Sequence, residues 1–204
     1  MFKNILLLFM VLIFIVGCSV NQVNVNNLSK EDKKVEREAI SKEFLDEISY
    51  MLFLLKNNDL PTLNSKYINP KIGVYEVFKS DISNKIVFRR SIQITEINDI
   101  VEDFNIKQET VDFNCSPNDD AYYGWNKEGT FLSVNIKPYL SQIIEQEHKI
   151  LPNKYKENEL KNVELIEKTS YELIVTNNVI FYLTKIDGRW YITLIDNLKT
   201  DCSQ

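Results

Sequence analysis

The sequence YELIVTNNVIFYLTKIDGRWYITLI, residues 171–195, contains three runs rich in β-branched and aromatic residues, a composition typical of strands. The runs are Tyr171–Val175, Val179–Ile186 and Arg189–Ile195. Asn177-Asn178 and Asp187-Gly188 separate them, and both dipeptides favour two-residue hairpin turns. This part of the chain therefore predicts an antiparallel meander of three strands.

The second turn also predicts which residues face each other across the hairpin. With Asp187-Gly188 as the turn, the predicted pairs are Leu183 with Ile192, Phe181 with Leu194, and Lys185 with Trp190. Alternate side chains of a strand share one face, so one face of this hairpin is almost wholly apolar. Such a face requires an apolar partner to cover it.

A helix earlier in the chain is predicted to supply that partner. Its apolar stripe consists of Ile40, Phe44, Ile48, Met51, Leu52 and Leu55. Ser29 is a suitable N-cap, so we predict one long helix from Lys30 to Lys56, which ends at Asn57-Asn58-Asp59. A long N-terminal helix packed on a curved, mainly antiparallel sheet, with the helices on one side, is an α+β fold.

The remaining elements have weaker patterns. Strands are predicted at Ile72–Phe78, Lys85–Ile94 and Val111–Cys115, and a short helical turn within Leu60–Pro70. Apolar residues at helical spacing predict helices at Thr95–Phe104 and Ile136–Lys149. The charged segment Pro152–Asn162 is interpreted as an exposed loop.

The N-terminus has the pattern of a secretory leader. Lys3 precedes the apolar run Ile5–Val16, which is shorter than the roughly 20 residues that span a bilayer. Gly17-Cys18 closes the run as a bacterial lipobox does, and the cysteine of a lipobox is lipidated. The alternatives are a transmembrane anchor, which the length disfavours, and an ordinary cleavage point, which Gly17 disfavours. We predict a signal peptide at 1–17, a lipidated Cys18 with a flexible tether at 18–28, and one domain at 29–204.

Lipidation also predicts a location. Several acyl chains, at about 0.8 kcal/mol for each buried methylene, anchor a protein stably to a membrane. Ser19, rather than an aspartate, follows the cysteine and favours the outer membrane in an organism that has one. The predicted location is therefore extracytoplasmic, on the periplasmic or surface face of the membrane.

The charge of the chain disfavours one class of partner. The 204 residues carry a formal charge of −5, which becomes −6 when Lys3 leaves with the signal peptide. Lys33-Lys34 and Arg89-Arg90 are only pairs, and nucleic acid requires a basic stripe. The abundant asparagines are typical of an AT-rich genome, so we assign them no function.

The cysteines suggest one covalent link. Once Cys18 carries lipid, Cys115 and Cys202 remain, an even number in an oxidising compartment. We predict a disulfide between them, and the alternative is two thiols that never meet.

Three short stretches carry a resemblance to a known family. They are Tyr67-Ile68-Asn69-Pro70 with Gly73-Val74, Tyr122–Gly129, and Gly188–Tyr191. Together with the predicted order of elements over Ala39–Asn197, they make the chain resemble bacterial lipoproteins of the nuclear transport factor two-like fold. The resemblance implies a cone of curved sheet around a long N-terminal helix. It implies no single function, because this shape hosts enzymes, binding modules and passive domains.

Few residues qualify as a catalytic or metal site. Enzymes of this shape place an Asp–His or Tyr–Asp pair in the cone, but His148 is the one histidine and is interpreted as solvated. With no closely spaced cysteine pair we predict no metal site, and with no glycine-rich phosphate loop no cofactor. Asp119-Asp120 lies among turn formers, and one arginine of Arg89-Arg90 faces solvent.

The cluster Tyr122, Tyr123, Trp125 and Glu128 is the candidate binding surface. Its aromatic rings suit the rim of a ligand pocket or a partner surface. The alternative is a loop pinned to the core by its rings and by a bridge at Cys115.

Three functions remain open at this point. The first is a non-catalytic envelope lipoprotein that binds a small ligand or a protein partner. The second is an enzyme with a pocket acid such as Asp112 or Glu128, which a buried carboxylate facing an open cavity would favour. The third is an accessory or immunity-type protein that acts through its outer sheet face. The sequence predicts no oligomeric state.

Overall fold

The computed structural model describes residues 39–83, 85–97, 105–116, 122–134, 136 and 139–203. The predicted signal peptide, Cys18 and the tether lie outside these residues. No helix in the described part is long and apolar enough to cross a membrane.

The described residues form an α+β domain. Its helices are α1 (Lys42–Lys56), α2 (Leu60–Tyr67), α3 (Leu140–Ile150) and α4 (Glu157–Thr169). Its strands are β1 (Val74–Lys79), β2 (Ile86–Ser91), β3 (Ile106–Lys107), β4 (Phe113–Asn114), β5 (Gly124–Trp125), β6 (Thr130–Ser133), β7 (Tyr171–Val175), β8 (Val179–Ile186) and β9 (Arg189–Asp196). The predicted strands before residue 116 and the closing meander are confirmed, whereas β3, β5 and β6 were not predicted.

The main sheet is mixed and mostly antiparallel. Its strand order is β2-β1-β9-β8-β7-β6-β3, with parallel pairing only at β1–β9 and β3–β6. Strands β4 and β5 form a separate antiparallel pair. The meander β7–β9 thus lies in the middle of the sheet, where each strand has a neighbour on both sides.

Helices cover both faces of this meander. Leu173 and Phe181 pack in one core with α1 and α2, whereas their neighbours Ile174 and Ile180 pack in a second core with α3 and α4. The prediction of helices on one side is therefore wrong. The strands indicate the reason, since β7 is buried at every position, as in sheets covered on both faces.

The helix α1 covers one face as its apolar stripe predicts. The Phe44 ring stacks on Trp190 with ring centroids 3.8 Å apart, and it meets the edge of Tyr171 at 4.9 Å. The helix begins at Lys42, however, because Ser41 is extended and its hydroxyl accepts a hydrogen bond from the Phe44 N–H. One continuous helix from Lys30 is wrong, since residues 39–41 are not helical.

The other predicted helices also differ in part. Residues 95–97 are not helical, and the rest of the predicted Thr95–Phe104 helix lies outside the described residues. The helix predicted at Ile136–Lys149 begins later, at Leu140. Its first N–H groups are capped from another helix, because the buried Glu167 carboxylate accepts hydrogen bonds from Leu140 and Ser141.

The exposed loop predicted at Pro152–Asn162 is wrong, because α4 begins inside it at Glu157. Its charges are those of a helix surface, with Glu157–Lys161 and Glu164–Lys168 pairs spaced i, i+4. Val163 and Ile166 are its buried apolar face. The segment was predicted as a loop because its many charged residues outnumber the few that form the narrow apolar stripe of α4.

The hairpin turns were predicted with mixed success. Asp187-Gly188 is a two-residue turn, and Leu183 with Ile192 and Lys185 with Trp190 pair as predicted. Phe181 pairs with Ile195, not Leu194, because a bulge at Tyr182/Leu183 shifts the register. The last pair before the other turn is Val175 with Val179, so that loop is one residue longer than Asn177-Asn178.

Truncation of Phe44 tests the contact between α1 and the meander. We expect Phe44→Ala to lower the free energy of unfolding by about 3–5 kcal/mol, because it leaves a cavity between Trp190 and Tyr171. Urea unfolding measures the loss. Phe53→Ala is the matched control on the same helix, since Phe53 is 53% exposed, and its loss should stay below about 1 kcal/mol. Equal losses in the two variants would contradict this packing.

Candidate ligand-binding cleft

Two adjoining cavities lie beside the turn between β7 and β8. Their volumes are about 260 and about 270 Å³. Asn178, Val179 and Asn197 belong to the walls of both cavities. We therefore treat the two as one site, called here the Asn178 cleft.

The first cavity has a neutralised charged wall. Glu76 on β1 and Arg89 on β2 lie directly opposite in the register and form an ion pair. The Asn197 amide donates to the other Glu76 oxygen at 3.2 Å, and the Arg89 guanidinium lies over the Phe78 ring at 5.3 Å. Arg89 is thus held in place by a carboxylate and a ring, and its charge is balanced.

Gly73 sets the start of the hairpin that carries this ion pair. Its φ is +75°, and a Cβ at this position would lie 2.3 Å from the Ser91 carbonyl oxygen. The neighbouring Arg90 donates to the carbonyl oxygens of Lys71, at 2.7 Å, and Ile72. Neither arginine of the pair is thus an open anion site.

The second cavity has an aromatic wall. Phe113 on β4 and Trp125 on β5 pair across the small sheet, and their rings meet edge to face with centroids 5.1 Å apart. The Asn114 amide donates to the Tyr122 carbonyl oxygen at 2.8 Å and so ties β4 to the residue shortly before β5. Asp196 and Thr200 line the same cavity.

Asn178, at the junction of the two cavities, has an unsatisfied acceptor. Its amide nitrogen donates to the Thr176 carbonyl oxygen at 3.3 Å, which orients the side chain. Its Oδ1 is buried and accepts no hydrogen bond from the described residues. A buried acceptor without a partner costs about 1–3 kcal/mol. A ligand that donates an N–H or O–H at this position would recover that cost.

Asp196 anchors the C-terminal segment beside the cleft. The residue is 1% exposed, and its Oδ2 accepts the hydroxyl hydrogen of Tyr139 at the start of α3. Oδ1 accepts the backbone N–H groups of Leu198 and Lys199, both at 3.0 Å. Both oxygens therefore have partners within the protein.

A buried polar cluster surrounds this anchor. Burial raises the pKa of Asp196, and the hydrogen bond from Tyr139 opposes only part of the rise. Burial also raises the pKa of Glu172 by more than its ion pair with Lys199 lowers it. The Tyr139 and Tyr182 hydroxyls have raised pKa values, first from burial and then from the charge of Asp196, so they stay protonated and act as donors.

The predicted binding cluster is only partly brought together. Trp125 lines the second cavity. Tyr123 is 63% exposed and Glu128 is exposed, and neither lines the cleft. Tyr122 is half-buried and contributes its carbonyl oxygen to Asn114. The predicted surface therefore does not form one pocket.

The other predicted chemical candidates lie elsewhere. Asp112 is exposed and, like Glu128, lines neither cavity. Asp119-Asp120 falls outside the described residues. His148 is half-buried rather than fully solvated, and its Nδ1 has no partner among the described residues. The described residues contain no cluster of metal-ligating side chains.

Cys115 and Cys202 lie at disulfide distance. Their Cα atoms are 5.2 Å apart and their sulfur atoms 2.14 Å apart. The bridge would join the residue after β4, next to the aromatic wall, to the C-terminal segment that contributes Asn197 and Thr200. The predicted pairing is therefore sterically feasible and would hold two walls of the second cavity together.

Sequence reasoning missed most of the cleft. Asn178 was interpreted only as a turn former, Asn197 was not considered, and Asp196 was not recognised as buried. One signal could have found Asp196, because it directly follows a fully apolar strand end, Leu194-Ile195.

Comparison of the chain with protein-family models, curated proteins and solved structures finds no match.

The buried carboxyl of Asp196 predicts a dependence of stability on pH. Because its pKa is raised from 3.8 in the folded state, the native state retains a proton that the unfolded state releases. This contribution is complete below about pH 4 and is lost as pH rises through the folded pKa. Relative to the unsubstituted protein, Asp196→Asn should therefore gain unfolding free energy as pH rises above about 4 and through the folded pKa of Asp196.

Urea unfolding at a series of pH values measures this difference. Asp187→Asn at the exposed β8–β9 turn is the control for the loss of one negative charge. A difference for Asp196→Asn that is constant, or that falls with pH, would contradict the assignment.

Loss of the bridge should weaken the fold. The loop that it closes spans 87 residues, for which chain entropy predicts about 4.5 kcal/mol of stabilisation. We expect the Cys115→Ser/Cys202→Ser variant to unfold at a lower urea concentration, because its free energy of unfolding should fall by about 4.5 kcal/mol. The unreduced, denatured protein should weigh less than the reduced protein by two thiol hydrogens. Equal masses would show that the thiols are free.

Proposed function

We propose that the protein is a lipid-anchored envelope lipoprotein whose domain binds a small ligand in the Asn178 cleft. The anchor is proposed from the leader sequence and Cys18, and the binding role from the cleft. In this proposal the tether at 18–28 holds the domain at the bacterial membrane, which is the outer membrane, on its periplasmic or surface side, in an organism that has one. The protein is proposed to act without catalysis.

The observation that carries the binding role is the buried Oδ1 of Asn178. Asn178 belongs to the walls of both cavities, and no described residue donates to its Oδ1. Small-molecule sites are concave, with apolar walls and a few placed polar groups. Val179 and Trp125 provide apolar walls here, and Asn178 and Asn197 provide the polar groups.

A second candidate function is an enzyme that uses Asp196. This buried carboxylate lies in a cavity wall, which is the feature that favours catalysis. Its two oxygens, however, already accept hydrogen bonds from Tyr139, Leu198 and Lys199. Consumption of the bound ligand by the unsubstituted protein, but not by Asp196→Asn, would establish the enzyme.

The two remaining proposals have less support. A partner bound on the outer sheet face would need an open face, but helices cover both faces of the meander. Membership of the nuclear transport factor two-like fold is favoured by α1, which packs on the closing meander. The helices α3 and α4 on the opposite face are not expected of a cone around one long helix.

Mass spectrometry of the membrane-extracted protein tests both halves of the proposal. The denatured mass should correspond to residues 18–204 plus acyl chains on Cys18. The native mass should include a further component that denaturation removes. An unmodified N-terminus would exclude the anchor, and a native mass without an added component would count against the binding role.

The Asn178→Leu variant links the ligand to the cleft. We expect it to lose the added native mass. Its free energy of unfolding should stay the same or rise, because the variant removes an unsatisfied buried acceptor. Asn153→Leu, at an exposed position after α3, is the matched control and should retain the ligand. Ligand retention in Asn178→Leu would move the site elsewhere.

A further inference from the structure

The charges of the Asn178 cleft restrict the class of its ligand. Among the described wall residues of the second cavity, Asp196 is the one ionisable side chain. In the first cavity Arg89 is balanced by Glu76, and Glu96 adds another carboxylate. No free cation in the described walls could compensate a phosphate or a carboxylate. An anionic ligand is therefore disfavoured.

Apart from Asp196, the polar side chains of the second cavity are neutral amides and a hydroxyl. The second cavity is lined by Asn177, Asn178, Asn197 and Thr200. Each amide both donates and accepts, and the hydroxyl does the same. This arrangement suits a ligand with several neutral groups that also donate and accept, and hydroxyl groups have this property.

The aromatic wall adds a flat apolar surface. Trp125 is held by its edge-to-face contact with Phe113 and by the β4–β5 pairing. The electron-rich face of an aromatic ring attracts C–H groups that carry partial positive charge. A pyranose ring combines one such C–H face with hydroxyl groups around its edge.

We infer that the Asn178 cleft binds a neutral saccharide, with a sugar ring on the Trp125 wall and its hydroxyl groups hydrogen-bonded to the Asn178 and Asn197 side chains. This inference rests on the proposed binding function and specifies its ligand class. A peptide fits the site less well. An extended peptide binds through the backbone of an edge strand, whereas the polar groups here are side chains.

A glycan array of uncharged and acidic oligosaccharides, probed with the full lipidated protein in detergent, tests the inference. We expect binding to uncharged glycans, and at least tenfold weaker binding for Trp125→Ala, about 1.4 kcal/mol. Tyr123→Ala is the matched control, since Tyr123 lies near Trp125 but is 63% exposed and outside the cleft. Its binding should be unchanged. Urea unfolding of each variant verifies that the fold is retained.

The outcomes separate this inference from the proposed function. Binding to acidic glycans alone, or an equal loss of glycan binding in Trp125→Ala and Tyr123→Ala, would overturn the inference that the cleft binds a neutral saccharide. If native mass spectrometry shows a bound molecule that is not a saccharide, and no glycan binds on the array, the saccharide inference is wrong but the proposed ligand-binding function stands. No array binding and no native-mass component would overturn both.

Discussion

The burial of β7–β9 on both faces is the constraint on which the rest of the structure depends. Each strand is a near-continuous apolar run, so neither face can remain in water. The stack of Phe44 on Trp190 secures one covering layer. The other layer is α3 with α4. The cleft lies at the end of the meander, where this double cover stops at the β7–β8 turn and the exit of β9.

The segment after β9 turns this end of the sheet into a cleft. Asp196 binds the start of α3 through Tyr139, and Lys199 reaches the buried Glu172. Asn197 lies between Asp196 and Lys199, so these two contacts hold it in place in the walls of both cavities. The proximity of Cys115 to Cys202 brings the aromatic strand pair to the same place. Contacts that fix the segment after β9 therefore form most of the site.

The local patterns that matched the structure share one property: they depended on neighbours in sequence. Asp187-Gly188 forms its turn because both residues adopt positive φ without help from other elements. The helix stop at Asn57-Asn58 is also local, with Asn58 at a φ of 53°. The α4 helix was missed because its surface charges outnumber its buried residues. The register after Tyr182 was missed because a bulge leaves no mark in the hydrophobic pattern.

The sequence by itself determined the α+β class, the closing meander and the apolar stripe of α1, since periodicity and turn chemistry are encoded in residues close together. It also singled out Trp125 as a candidate binding residue and predicted the pairing of Cys115 with Cys202, which their Cα distance of 5.2 Å allows. Only the tertiary structure decided that helices lie on both faces and that Asn178 lacks a donor. Burial and hydrogen-bond satisfaction depend on residues distant in the chain, and composition does not report which of them meet.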